Sequence, residues 1–317
     1  MERVKTSTKV AGIDVSKAKL DVAAYGFDEV VQFANLAAGF EQLGRWLGSR
    51  EISRVGLEAT GGYERAVVGW LQANGFEVVV HQPLEVKLFA RLKRRRAKND
   101  RIDARLIAAA TAQVDSVKAA ADPLLVELAE RLTAYEQASD QLARLRTCLE
   151  QVRLPDLRAS YEAQIQQAKT WKLERLADVI GCLKTRPDLV RRYDLLKSLP
   201  GVSVVVAASL VIRMPELGAL EHGQAASLLG VAPFDRDSGP FRGERHIAGG
   251  RTRPRKLVYL AALVASQHDP ALRSLTERLK DKGKKPKVAI VAVMRKLIEA
   301  ANLVLARDAP WRPSIAY

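Results

Sequence analysis

Cysteine is nearly absent. The chain holds two, Cys148 and Cys182, both within helix-like sequence and without metal-ligand spacing. That pair supports neither a disulfide framework nor a thiolate metal site, and both are expected to be reduced packing residues. Long apolar runs are missing too. The longest, VVVAASLVI at Val204 to Ile212, is too short to span a bilayer, and the opening MERVKTSTKVAGIDVSK lacks the apolar core of a signal peptide. The chain therefore reads as soluble and cytoplasmic, with no membrane partner. It contains no Walker loop, no dinucleotide fingerprint and no metalloprotease histidine motif, so nucleotide-driven chemistry is not indicated.

What is abundant is positive charge: 51 Lys and Arg against 36 Asp and Glu give a formal +15 over 317 residues. Such a field attracts a polyanion, and DNA or RNA is the first partner to consider. The length suits two domains of ordinary size plus a connector.

Three short β-rich runs, Lys9 to Val15, Leu20 to Tyr25 and Val30 to Ala34, predict an antiparallel meander. A helix over Ala37 to Gly48 follows, then a strand at Arg54 to Ala59, a helix from Tyr63 to Ala73, a strand at Glu77 to His81 and more helix beyond Pro83. This order describes a mixed sheet flanked by helices over residues 1–115. Leu125, Leu128, Leu132, Tyr135, Ser139 and Leu142 then recur at steps of three and four, with a slip near Leu145 and Leu149, and helix resumes from Pro155 to about Leu183. Residues 116–192 are thus expected to form a helical hairpin or coiled-coil arm, used either within one chain or between two. Residues 193–317 read as a mainly helical second domain, making the fold class α/β plus all-α. Its Leu196 to Val202 segment looks like a helix-hairpin-helix offering amides to a phosphate, with Ser203 where a second glycine is usual; equally, ProGly there simply breaks two core helices. After a polar loop from Asp235 to Pro254, two helices, Arg255 to Gln267 and Pro286 to Ala306, are expected to finish the domain.

Four acids stand out. Asp14 ends the first strand, Glu58 ends a later one, and Asp100 and Asp103 sit three apart near the start of a helix, on one face. Packed within about 4 Å, each like-charge pair costs on the order of 4 kcal/mol at an effective dielectric of 20. A converging quartet therefore needs protons or a divalent cation, and hard oxygen ligands suit Mg2+ or Mn2+. Two such ions can assist phosphodiester cleavage. Singly, each acid is explained as a turn cap, an exposed strand end or a first-turn acid favoured by the helix dipole.

As a set they resemble the RNase H-like nucleases of the RuvC kind, where an acid on the first strand, one on the fourth and a pair on a later helix share the metals. GlyIleAspValSerLys, GlyLeuGluAlaThrGlyGlyTyr and LysAsnAspArgIleAspAlaArg hold those places here. In order, these segments also resemble the DEDD transposases of the insertion-sequence-110 family, which includes the pilin-gene inverters, and the resemblance runs over nearly all of the chain. It implies a RuvC-like first domain and a serine nucleophile on a loop after a GlyLeuAlaPro-like segment. GlyValAlaProPheAspArgAspSerGly at Gly230 to Gly239 occupies that place, making Ser238 the matching residue. A serine is a weak nucleophile until activated; His246 is near in sequence, although the scheme needs no histidine base.

The resemblance further implies donor and target DNA, a structured non-coding bridge RNA as guide, and a dimer that pairs into a tetramer in synapsis. Basic residues cluster beside both candidate segments: Lys93, Arg94, Arg95, Arg96 and Arg101 near the acidic pair, and Arg242, Arg245, Arg251, Arg253, Arg255 and Lys256 after Ser238, with a third run at Lys280 to Lys287. Such runs are often only solvated faces, but beside catalytic segments they suit a phosphate-tracking channel. A transposase or DNA invertase is the leading expectation. A Holliday-junction nuclease using water and a non-enzymatic nucleic-acid-binding protein are the alternatives.

Overall fold

A computed structural model describes residues 9–93, 100–115, 122–234 and 245–312, and the side chains of all of these except 100–102. The chain divides into two compact units, Met1–Ala121 and Asp122–Tyr317.

The first unit contains β1 (Val10–Val15), β2 (Lys19–Ala24), β3 (Val30–Ala34), α1 (Ala37–Ser49), β4 (Arg54–Glu58), α2 (Arg65–Ala73), β5 (Glu77–His81), α3 (Pro83–Leu92) and α4 (Asp100–Thr111). Its five strands lie in the order β3-β2-β1-β4-β5. The β1–β2 and β2–β3 pairs are antiparallel, giving the expected meander, while β1–β4 and β4–β5 are parallel. The result is the mixed α/β sheet flanked by helices that the sequence led one to expect.

Strands β1 and β4 are covered on two faces, which is why they read as apolar runs rather than alternating ones. On one face Ile13 and Leu57 join a core with Phe40, Leu43 and Leu47 of α1 and Val67 and Leu71 of α2. Phe40, Leu43 and Leu47 are the buried stripe of α1 at helical spacing. Fully burying a side chain of this size contributes about 1.5–3 kcal/mol. The other face carries α4, whose Ala104, Ile107, Ala108 and Thr111 are buried at the same spacing.

The second unit contains α5 (Pro123–Gln151), α6 (Pro155–Leu183), α7 (Pro187–Lys197), α8 (Val204–Arg213), α9 (Gln224–Leu229), β6 (Pro233–Phe234), β7 (His246–Ile247), α10 (Thr252–His268), α11 (Pro270–Asp281) and α12 (Pro286–Ala306). Among the described residues six helices (α3, α5, α6, α7, α11 and α12) begin on proline, whose fixed φ suits the first helical turn and whose missing N–H costs nothing there.

Helices α5 and α6, each of 29 residues and so about 44 Å long, form an antiparallel hairpin. Its base is continuous with the unit core through Leu128, Leu132, Tyr135, Val179 and Leu183, and Leu142, Ile165 and Ala168 form a separate cluster farther along. Ala138 rather than Ser139 is the buried residue at that step of the heptad. Cys148 is exposed on α5, correcting its expected packing role, while Cys182 packs in part against the core.

The turn between α7 and α8 places Gly201, at φ +73°, so close to α10 that a Cβ there would lie 2.3 Å from the Ala261 carbonyl oxygen. Ser203 caps α8 with its hydroxyl, accepting from the Val206 amide at 3.5 Å. The C-terminal pair of helices is in fact a trio. Asp269 accepts from the Leu272 amide at 2.9 Å, Pro270 follows and Leu272 is buried, so α11 forms where only a basic linker was expected. Among the described residues no helix is long and apolar enough to cross a membrane.

Candidate active site

The sheet puts two of the four acids side by side. The β1–β4 register runs from Val10↔Arg54 to Ile13↔Leu57, so Asp14 and Glu58 are each the next residue on neighbouring parallel strands. Both are half-buried. Two positions before each acid stands a glycine, and both glycines face α4. A Cβ on Gly12 would lie 2.2 Å from the Ala108 amide nitrogen and 2.4 Å from the Ala104 carbonyl oxygen; one on Gly56 would lie 1.7 Å from Thr111 Oγ1. Since side chains two apart share a face, Asp14 and Glu58 also project to the α4 side.

Helix α4 runs against the direction of these strands. Its Thr111 lies beside Gly56, and Arg54, at the start of β4, donates to the Val114 carbonyl at 2.6 Å, just past the helix end. Moving back along the helix therefore leads to the carboxyl ends of β1 and β4, which places half-buried Asp103 at the same end of the sheet as Asp14 and Glu58. Asp100 opens the helix; its side chain lies outside the described residues.

Several residues that the sequence did not advertise shape this end of the sheet. Asp21 pairs with Asp14 across β1 and β2 and is buried, and its charge is met by Lys19 Nζ at 3.2 Å and Gln32 Nε2 at 2.9 Å. Asn35 Nδ2 donates to the Ser16 carbonyl at 2.9 Å and the Tyr63 carbonyl at 3.1 Å, tying the segment after Asp14 to the segment after Glu58. Glu64 gathers the latter segment by accepting from the Thr60 amide at 3.1 Å, the Thr60 hydroxyl at 2.9 Å and the Gly62 amide at 2.9 Å. Partial burial works to raise its pKa, but these bonds outweigh it and hold the carboxyl below the usual range.

His81 is the register partner of Glu58 on β5 and is buried, with Nε2 2.8 Å from Thr111 Oγ1. Because that hydroxyl donates to the Ile107 carbonyl at 2.7 Å, it must accept from His81, which fixes the proton on Nε2. Burial lowers the pKa of the ring, which favours the neutral form. The His81–Thr111 bond thereby rivets α4 to the sheet.

Asp14, Glu58 and Asp103 each have a polar or electrostatic partner. Among the described residues no three His, Cys, Asp or Glu side chains converge closely enough to hold a metal ion. The donors are nevertheless of the right kind. Carboxylates on one face at one end of a sheet are hard oxygen ligands, which fit a divalent cation of the magnesium class better than a soft metal.

In the second unit Ser238 and Arg242 lie outside the described residues. The chain on either side of them is paired antiparallel, Phe234 with His246 and Pro233 with Ile247. Behind this pair Gly230 ends α9 at φ +80° and lies against Gly250, where a Cβ would come within 2.2 Å of the Gly230 amide nitrogen. Arg255 donates to the Gly230 and Gly249 carbonyls at 3.1 and 2.8 Å.

Other candidate cations also work inside the unit. Arg251 grips Glu216 with both guanidinium nitrogens, at 2.8 and 2.6 Å, and donates to the Arg213 carbonyl at 2.5 Å. Arg253 pairs with Glu136, which Arg213 also contacts at 3.0 Å. Lys93, Arg245 and Lys256 are exposed. Arg94, Arg95 and Arg96 lie outside the described residues, as does the side chain of Arg101.

Two family models match the chain: one for the DEDD transposases of insertion-sequence-110 type, described as "Transposase", over residues 11–153, and one described as "Transposase IS116/IS110/IS902 family" over 193–277. The pilin gene-inverting protein of Moraxella bovis is 26% identical over 95% of this chain and 96% of its own length. The insertion element IS900 uncharacterized 42 kDa protein of Mycobacterium paratuberculosis is 29% identical over 44% of this chain and 36% of its own. The insertion element IS110 uncharacterized 43.6 kDa protein of Streptomyces coelicolor is 30% identical over 51% of this chain and 38% of its own. With the first matched segment spanning the strands and helix that bear the acids and the second reaching across Ser238, the chain belongs to the insertion-sequence-110 family of transposases, recombinases whose substrate is DNA.

Proposed function

We propose that this transposase breaks and rejoins DNA strands with Ser238 as the nucleophile, and that Asp14, Glu58, Asp100 and Asp103 hold the divalent cation, Mg2+ or Mn2+, that serves it. The observation that carries this reading is the placement of Asp14 and Glu58 in one register on adjacent parallel strands, facing the helix that bears Asp103. A divalent cation bound there would polarise the scissile phosphate and favour departure of its leaving oxygen.

Ser238 Oγ then attacks phosphorus: a serine–phosphate ester forms, one P–O bond of the DNA backbone breaks, and the hydroxyl proton passes to a base. Attack on that ester by a hydroxyl of the partner strand rejoins DNA and restores the serine. Exposed Lys93, Arg245 and Lys256, together with Arg94, Arg95, Arg96, Arg101 and Arg242, draw in the phosphate backbone without reading sequence. Arg251, Arg253 and Arg255 shape the unit that presents Ser238.

Exchange joins two DNA partners, so the working form is a dimer that pairs into a tetramer, with the α5–α6 hairpin as an intersubunit contact. A structured non-coding guide RNA encoded by the same element selects donor and target. Relatives named for transposable elements and for gene inversion support both outcomes of the one chemistry.

Trapping a covalent protein–DNA adduct tests the mechanism. The wild type forms one and Ser238→Ala does not. Cleavage that persists in Ser238→Ala without an adduct would make the protein a water-using nuclease and overturn the serine mechanism.

A further inference from the structure

The basic run at Lys280 to Lys287 is the one charge cluster that the catalytic reading does not use, and it borders a cavity. Between α10, α11 and α12 lies an open groove of about 450 Å3, a size typical of ligand sites. Tyr259, Leu263 and Ile290 line it with apolar surface, while Arg273, Lys280 and Lys287 bring positive charge to it. Pro270 to Lys287 holds seven Lys and Arg against two acids, Glu277 and Asp281. Glu277 is the one acid on the groove wall. Lys280, Lys282, Lys284, Lys285 and Lys287 are all exposed, and none forms an ion pair among the described residues. Arg273, by contrast, is anchored by donating to the Gln267 carbonyl.

The two halves of this groove ask for different chemistry. A row of solvated lysines attracts phosphates, and a duplex running past would satisfy them. It would leave the apolar wall with Tyr259 unmatched, because duplex bases are stacked inward. A single strand supplies both parts, with phosphates for the cations and the exposed face of an unstacked base for the aromatic and aliphatic wall. Strand exchange on DNA generates such segments.

We infer that the α10–α11–α12 groove is a binding site for a single-stranded segment of the DNA substrate, with a base against Tyr259 and the backbone along Lys280 and Lys287. This rests on the DNA substrate of the family, not on Ser238 or the acidic centre.

The test is fluorescence anisotropy of a short labelled single-stranded DNA with the full chain, without divalent metal, over a salt series. Lys280→Gln/Lys287→Gln is expected to weaken binding and to reduce the slope of log K against log salt by about 1.4, two contacts at about 0.7 each. Tyr259→Leu is expected to weaken binding with the slope unchanged, and Tyr259→Phe to bind as the wild type does. Asp14→Asn is expected to bind normally, so loss of the catalytic reading would leave this result standing.

Because both lysines are exposed, the double variant will fold even if Tyr259→Leu does not. Unchanged affinity and slope in the double variant would overturn the proposal. So would a double variant that weakens binding of a duplex or of single-stranded RNA of the same sequence more than it weakens binding of the single-stranded DNA.

Discussion

Replacing Gly12 with alanine adds one methyl group at the place where α4 comes closest to β1. The new Cβ would sit 2.2 Å from the Ala108 amide nitrogen and 2.4 Å from the Ala104 carbonyl oxygen. Comfortable contact begins near 3.4 Å, so the helix must retreat by about 1 Å or more, and backbone atoms cannot rotate away as a side-chain tip can. Overpacking of this kind typically costs about 1–3 kcal/mol, enough to lower Tm by several degrees in a unit of this size.

The consequence for catalysis is larger than for stability. Asp103 moves with α4 while Asp14 and Glu58 stay with the sheet, and a misplacement of about 1 Å among catalytic groups can lower a rate about 100-fold. Thermal unfolding followed by near-UV circular dichroism gives the first quantity. Cleavage of saturating DNA gives the second, with affinity measured separately. An alanine variant with wild-type Tm and wild-type cleavage would refute the seating of α4 on Gly12 and with it the argument that this helix brings Asp103 to the site.

Asp122 caps α5 by accepting from the Leu124 amide at 2.9 Å and pairs with Arg186, which also binds Asp188 at 2.7 Å. The hydrogen bond from Arg186 holds the Asp122 pKa below the ordinary aspartate value. A depressed folded pKa gives stability that is present above the unfolded value and lost as pH falls through the folded one. Asp122→Ala should thus lower stability by about 1 kcal/mol at neutral pH, in the range for losing a helix cap, and denaturant titrations should show the deficit shrinking below about pH 4. The basic residues after Ser238 should separate by role. Arg251→Lys, which cannot keep the two-pronged grip on Glu216, should lower Tm and leave the salt dependence of DNA binding nearly intact. Lys256→Gln should do the reverse, reducing the slope of log K against log salt by about 0.9 on duplex DNA.

The elements with strong periodicity were legible from residues alone. Val30–Ala34, Glu77–His81 and Pro286–Ala306 have the bounds that the sequence reading expected. Asp14 and Glu58 were legible as strand-end acids, but their shared register was not, because pairing joins residues 44 apart and depends on which strands become neighbours. The glycines two positions before each acid were in plain view as repeated Gly-x-acid triplets. Their purpose appears only with α4 on top of them.

Asn35 and His81 were missed for a related reason: each works through a contact with a segment distant in sequence, and neither sits in a motif. The helix α11 was missed because its last turn merges with the lysine run, although Asp269 and Pro270 are a start signal. Among the second-domain cations, sequence clustering could not distinguish Arg251, held by Glu216, from exposed Lys256. That distinction depends on where Glu216 folds back.

The most direct test of the acidic centre is Asp14→Asn, which keeps the shape of the side chain and removes its charge. DNA affinity and DNA cleavage are to be measured side by side in the same divalent-metal buffer. Near-wild-type affinity with cleavage abolished is expected, because the charge at the end of β1 is needed for the cation and not for grasping the backbone. Cleavage at the wild-type rate would remove Asp14 from the site and leave the acidic centre without its first ligand.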